Sequence, residues 1–267
     1  LNVAECCRNL SVVGATPLAA TNNLNFGNPE RPEIMAQLVE AIEGMADACR
    51  FFDTPITGGN VSLYNETLGE GIFPTPVMGM VGLLPTGEPV TLDFKIPGRG
   101  IVLLGGLGTC DEIRFGGTEY AKYVLNGMWG LPPALDMDYE KRVQAAAREI
   151  ALSGLAESAH DLSDGGLAVA LAESSFGPAG VGASIQLESD LRPEWILFHE
   201  GPSRVLISTA APEKVQAIAA KHGVEAPVIG VTIPGRIEFS VSGKVLVGDE
   251  VGRFQSGWDK ALEDHVR

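Results

Sequence analysis

Apolar and polar positions change period along the chain, and those changes mark its elements. Residues 1–13 read as a helix that Gly14 and Pro17 close. Pro17–Thr21 reads as a strand leading into the run Thr21-Asn-Asn-Leu-Asn-Phe-Gly-Asn28. Pro29, Pro32 and Glu33 then open a helix in which Ile34, Leu38, Ile42, Met45 and Cys49 fall at helical spacing, with Glu40 and Glu43 turned to solvent. Thr54–Tyr64 is a second strand, Asn65–Gly71 a polar hairpin-like turn, and Thr75–Leu84 a third strand interrupted by glycines. Pro85–Lys95 shifts to Pro, Gly, Thr and acids, which places a boundary there and gives domains 1–97 and 98–267.

The second domain opens with Gly100-Ile-Val-Leu-Leu-Gly-Gly-Leu-Gly108. Its spacing is not G-x-G-x-x-G and no amphipathic helix follows at once, so it reads as a buried strand end and a loop. Phe115-Gly-Gly-Thr118 leads a short helix and Met137–Leu152 forms a longer one. Strands are expected at Glu157–His160, Ser203–Thr209 and Val224–Ile233, and in a hairpin over Arg236–Val247. Helices are expected at Pro212–His222 and Arg253–His265. This alternation points to an α+β or mixed α/β fold, not to a barrel.

Two stretches carry candidate chemistry. In Thr57-Gly-Gly-Asn-Val-Ser62 the glycines let backbone pass close to a ligand, Asn60 offers an amide, and Ser62 offers a hydroxyl on the same face. A strand with a bulge is the plainer reading, but the asparagine-rich run one helix upstream favours a site. Asp161-Leu-Ser-Asp-Gly-Gly166 sits between a strand and a helix, where amides and the helix dipole suit a phosphate and Asp161 suits Mg²⁺. Capping of that helix by Ser163 or Asp164 is the alternative. His160 reads as a structural hydrogen-bonder, and His199, His222 and His265 show no partner pattern. Glu200-Gly-Pro-Ser-Arg204 reads as a turn ahead of a strand, with a polar ligand contact as the alternative.

The totals narrow the classes. A formal net charge of −15 argues against nucleic acid and anionic membrane surfaces, but leaves a nucleotide open because backbone amides and Mg²⁺ hold phosphate without Lys or Arg. No apolar run reaches bilayer length and no signal segment opens the chain. The four cysteines have no zinc spacing and are expected to be free thiols in a reducing cytoplasm. Leu1–Leu10 reads as the middle of a helix, so a fragment of a longer polypeptide is expected.

With these runs in view, the sequence resembles the synthetase subunits of phosphoribosylformylglycinamidine synthases. Leu24-Asn-Phe-Gly-Asn-Pro-Glu-Arg-Pro-Glu33, Gly58-Gly-Asn-Val-Ser-Leu-Tyr-Asn-Glu-Thr67, Pro74-Thr-Pro-Val-Met-Gly-Met-Val-Gly82, Phe115-Gly-Gly-Thr-Glu-Tyr120 and His160-Asp-Leu-Ser-Asp-Gly-Gly166 carry the resemblance. The first three are specific to that enzyme, while the last is shared with aminoimidazole ribonucleotide and selenophosphate synthetases. The resemblance implies the C-terminal half of the subunit. That half would be an α+β, aminoimidazole ribonucleotide synthetase-like fold, with an N-terminal barrel-forming half-domain and a C-terminal α/β domain. It implies ATP and Mg²⁺ as cofactors and formylglycinamide ribonucleotide as substrate. Expected partners are a glutaminase subunit, a small bridging subunit and the missing N-terminal half. Matched by motif, Asn22, Gly59 and Ser163 would contact ATP, Ser62 the substrate, and Asn60 and Asp161 the metal. Asn22 stands where many members have Asp. Asp161 and Ser163 match positions of the large single-chain form, and a degenerate second site in the small form. The family's catalytic histidines lie in the half not represented, so no synthase activity is expected of the chain alone. A docking half with a vestigial nucleotide site is the competing reading. Exposed strand edges lead to the expectation of a homodimer.

Overall fold

The computed structural model describes residues 1–85 and 87–266, excluding the side chains of Asp264 and His265. Thr86 in the linker-like stretch and the side chain of His265 therefore lie outside the described residues. The chain forms two compact units, Leu1–Ser11 with Ala15–Gly87 and Val12–Gly14 with Glu88–Arg267.

The first unit contains α1 (Asn2–Val12), β1 (Thr16–Asn25), α2 (Pro32–Phe51), β2 (Ile56–Ser62), a two-rung hairpin β3 (Glu66–Thr67) and β4 (Glu70–Gly71), and β5 (Thr75–Leu83). Its sheet runs β2-β1-β5, with β1 parallel to β2 across the α2 crossover and antiparallel to β5. Thr21–Asn25 of the asparagine-rich run form the second half of β1, paired on both sides, and Phe26–Asn28 lie beyond the strand. α2 buries Ile34, Met45, Ala48 and Cys49. Ile42 departs from the expected stripe and is exposed, joining Met35 and Val39 on an outer face. The buried stripe passes through half-buried Leu38 and Ala41 instead, because 3.6 residues per turn carries it away from Ile42. Glu40 and Glu43 face solvent as expected. The three strands make an open sheet, with Val77, Val81 and Leu83 of β5 left exposed.

The second unit contains β6 (Gly100–Leu104), α3 (Glu112–Phe115), α4 (Glu119–Tyr123), α5 (Met137–Leu152), β7 (Ser158–Asp161), α6 (Gly166–Ser175), β8 (Val181–Leu187), α7 (Pro193–Phe198), β9 (Val205–Thr209), α8 (Pro212–Lys221), β10 (Val228–Pro234), β11 (Arg236–Val241), β12 (Lys244–Glu250) and α9 (Val251–Val266). One sheet of order β12-β11-β8-β10-β6-β9-β7 divides two cores. Ile101 and Leu103 of β6 join one core with Leu167, Leu171, Ile196 and Leu197 of α6 and α7. Val102 and Leu104 join the other with Val143, Ile150 and Val215 of α5 and α8. Burial on both faces is why this strand reads as a continuous apolar run without alternation.

The expected elements omit β8, α3 and α7. Yet β8 lies between β11 and β10 and carries alternating Val181, Ala183, Ile185 and Leu187, all buried. Gly182 allows that crowding, since a Cβ there would come within 1.9 Å of the Arg236 carbonyl oxygen. Among the described residues no helix is long and apolar enough to cross a membrane.

Candidate functional site

In the first unit, strand register sorts the candidate residues onto two faces. Asn22 pairs with Gly59, Asn23 with Asn60, and Asn25 with Ser62. Paired residues share a face and neighbours along a strand do not. Asn22 and Gly59 therefore lie on one side, with buried Ala20 and Leu24, while Asn60 and Ser62 lie on the other with Asn23 and Asn25. Gly59 has φ +156°, and a Cβ there would meet Asn22 Oδ1 at 2.0 Å and the Asn22 carbonyl oxygen at 2.6 Å. Its lack of a side chain lets Asn22 fold over β2. On the opposite face Asn25 Nδ2 donates to Asn23 Oδ1 at 3.3 Å and to the Thr75 carbonyl at 3.3 Å. Asn60 there is exposed. The Ser62 hydroxyl donates to Asn65 Oδ1 at 3.2 Å, and Asn65 Nδ2 donates to the Phe26 and Ser62 carbonyls at 3.0 Å each. Asn23 and Asn25 are additions to the candidates expected from sequence, although the period-2 pattern of the run carries that signal.

In the second unit the Asp161–Gly166 turn joins β7 to α6. Neither Ser163 nor Asp164 caps the helix, which corrects that alternative. The N-cap is Gly165 at φ 73°, without a side-chain cap bond, and the Ser163 carbonyl accepts from Gly166 N at 3.0 Å. A left-handed residue leaves no room for an ordinary Ser or Asp cap geometry here. A carboxylate from elsewhere takes the position: Glu200 Oε1 accepts from Gly165 N and from Glu119 N, each at 2.9 Å. Burial raises the Glu200 pKa, and the two amides oppose that rise. Asp161 is buried, with Oδ1 3.7 Å from His160 Nδ1, and His160 Nε2 lies 2.8 Å from Glu173 Oε2. Burial alone would lower the His160 pKa, but Asp161 and Glu173 outweigh it and raise it to about 9. A cation pinned between two carboxylates is a structural histidine. Among the described residues no group of three or more His, Cys, Asp or Glu side chains is arranged to hold a metal ion.

A cavity of about 380 Å³ lies behind the glycine loop that follows β6, lined among others by Gly108, Arg114, Tyr139, Glu200 and Ser203. Gly105, Gly106 and Gly108 have φ of 93°, 70° and 69°, so the chain bends there as only glycine does readily. Glu200–Arg204 is a turn, as expected, with Ser203 at φ 65°, and it also forms a cavity wall. Arg204 beneath it is 1% exposed. Its Nε donates to the Gly201 carbonyl at 2.9 Å, its Nη2 to the His199 carbonyl at 2.7 Å, and its Nη1 lies 2.8 Å from His199 Nε2. Burial, and then the guanidinium, push the His199 pKa down to about 3. Glu140, fully buried, accepts from Gln144 at 2.9 Å and from the Ser203 hydroxyl at 2.5 Å. Cys110 on the wall is raised to about 11, first by burial. The glycine loop and the Glu200–Arg204 turn lie far apart along the chain, and the tertiary fold makes them one pocket.

Comparison with known proteins places the chain. The family described as AIR synthase related protein, N-terminal domain, matches residues 1–84, and its C-terminal domain counterpart matches residues 97–242. The chain belongs to the AIR synthase related protein family. It is 49% identical over 251 residues to phosphoribosylformylglycinamidine synthase subunit PurL of Moorella thermoacetica, covering 90% of this chain and 34% of that protein. It is 45% identical over 255 residues to the PurL subunit of an Anaeromyxobacter species, covering 92% and 33%. The chain therefore spans about a third of the length of the curated relatives it matches. Thermotoga maritima PurL complexed with FGAR superposes with a TM-score of 0.74 at 23% identity, covering 94% of this chain and 42% of that one. A HypE–HypF complex structure matches with a TM-score of 0.64 at 19% identity. At those identities the structures speak for the α+β AIR synthase fold.

Proposed function

We propose that this chain is part of an ATP-dependent C–N ligase of purine biosynthesis. The reaction converts formylglycinamide ribonucleotide, ammonia drawn from glutamine, and ATP into formylglycinamidine ribonucleotide, ADP and phosphate. The observation that carries this reading is the 49% identity to a PurL subunit across 90% of the chain. The T. maritima PurL structures with ATP and with FGAR support it through the shared fold. In such a step the amide oxygen of the substrate is phosphorylated and ammonia displaces the phosphate, so the protein's work is positioning and charge neutralisation.

In this reading domains 1–97 and 98–267 are the N-type and C-type domains of the synthetase. Asn22, Gly59 and Ser163 contact the nucleotide, and Ser62 contacts the substrate. Asn60 in the first unit and Asp161, at the second-site motif of the second unit, are each a Mg²⁺ ligand, and both offer oxygen, the donor that Mg²⁺ prefers. Asn60 presents its amide on an exposed strand face, whereas Asp161 is buried beside His160. Mg²⁺, when bound, supplies neutralisation of the phosphate oxygens. Titrating ATP with Mg²⁺ into the parent chain, Asn60→Ala and Asp161→Ala tests the assignment by calorimetry. Saturable binding weakened at least about tenfold in each variant is expected. Equal affinity in the parent and both variants would remove both residues from nucleotide binding.

One observation favours a second reading for the C-type domain. The Gly165 amide of the Asp161–Gly166 turn already serves the Glu200 carboxylate, an anion where phosphate would sit. Together with Asn22 lacking a charge, this supports a docking half with a vestigial nucleotide seat, and absence of ATP binding in the parent chain as well as the variants would favour it.

The exposed edge β2, the outer face of β5 and the outer stripe Met35, Val39 and Ile42 of α2 support closure of the first unit's sheet into a barrel with a like sheet. A homodimer of this chain is the expected form in solution, with the glutaminase and small bridging subunits as partners of the complete enzyme. Light scattering at the monomer mass, unchanged up to high concentration, would refute the dimer.

A further inference from the structure

A shallow groove of about 380 Å³ runs across the second unit between Leu92 and Asp93, the end of α6 at Phe176 and Gly177, and α9 at Trp258 and Asp259. None of its lining residues lines the cavity behind the glycine loop. Its wall is carbon. The Phe176 and Trp258 rings stand 6.0 Å apart, centroid to centroid, and Trp258 is 59% exposed. Gly177 lets the Leu92–Asp93 segment lie close, since a Cβ there would come within 2.5 Å of the Asp93 Cβ. Asp93, Glu173 and Asp259 line the rim and neither Lys nor Arg does; Glu173 is taken up by His160 at 2.8 Å, which leaves Asp93 and Asp259 to face a ligand.

Those features select the occupant by chemistry. An inorganic cation would leave the aromatic wall unused, and a neutral molecule would leave the Asp93 and Asp259 carboxylates unused. An anion would be repelled. The complement is an alkyl chain bearing ammonium groups, its methylenes along Leu92 and Phe176 and its charges against the Trp258 ring and the carboxylates. We infer that this groove binds an aliphatic di- or polyamine. The inference stands apart from the nucleotide reading, because it uses none of the residues proposed for ATP, substrate or Mg²⁺.

Spermidine titration of the chain at constant ionic strength, followed by calorimetry and by tryptophan emission, tests it. Saturable binding is expected, weakened at least about tenfold in Asp93→Asn/Asp259→Asn. Asp259→Lys, whose own ammonium would occupy the groove, should abolish it. Trp258→Phe should lose the emission change while calorimetry still detects weaker binding. An equal response to Mg²⁺ at matched ionic strength would reduce the effect to screening and overturn the proposal. A spermidine response unchanged in the variants would overturn it too, as would capture of a Lys-rich peptide without spermidine binding.

Discussion

Gly59→Ala is expected to destabilise the first unit by about 3 kcal/mol, while Gly58→Ala changes it by no more than about 0.5 kcal/mol. The two glycines are adjacent in the same exposed edge strand, and sequence gives no reason to separate them. The structure does. A Cβ on Gly58 meets nothing within 4 Å, whereas one on Gly59 reaches the side chain of Asn22 at 2.0 Å and its carbonyl oxygen at 2.6 Å. A side-chain clash could relax by rotation, but the carbonyl belongs to the paired strand and cannot move without opening the β1–β2 ladder. Adding the φ of +156° gives a second cost, because side chains rarely accept it. Urea unfolding of both variants decides the matter. Equal stabilities would mean that Asn22 does not pack over Gly59.

His199 sets the second expectation, a loss of stability in mild acid. Burial and then the Arg204 guanidinium hold its pKa at about 3, against an ordinary value of 6.5, so the folded protein keeps the ring neutral. The sign follows from linkage: the unfolded chain takes up a proton below its higher pKa and the folded chain does not. This contribution is therefore fully present above pH 6.5 and declines as the pH falls toward 3. Its full size is roughly 5 kcal/mol, from about 1.4 kcal/mol for each unit between the two values. His199→Gln keeps polar atoms near Gly201 and Arg204 but has no proton to gain. Thermal melts from neutral pH to about pH 4 should show a shallower decline for the variant than for the parent. Parallel curves would show that His199 titrates normally and that Arg204 does not press on it.

Much of the fold can be read directly from the letters. The helix Met137–Leu152 coincides with its expected bounds, because Asp136 caps it and its apolar stripe is regular. The turn before α6 is legible in Asp161-Leu-Ser-Asp-Gly-Gly166, and the N-cap at Gly165 with φ 73° explains why glycine recurs there. Strand β8 is absent from the expected elements although its alternation is regular and Gly177-Pro178 and Gly180 mark a turn ahead of it. The face of α2 departs from expectation only at Ile42, an apolar residue left on the outer side.

What the sequence determined by itself was local: period, caps, glycine turns, and a set of motifs dense enough to imply a family. These depend on neighbours a few residues away, and the chain carries them wherever it goes. What only the tertiary structure decided was which residues meet. Strand register put Asn60 with Asn23, and Asn22 with Gly59, on opposite faces. Packing brought Glu200 to the amide of Gly165, thirty-five residues before it, and joined the glycine loop to the Glu200–Arg204 turn around one cavity. A hydrogen bond or a clash acts over a few ångströms of space, and no spacing along the chain encodes such distances between segments so far apart.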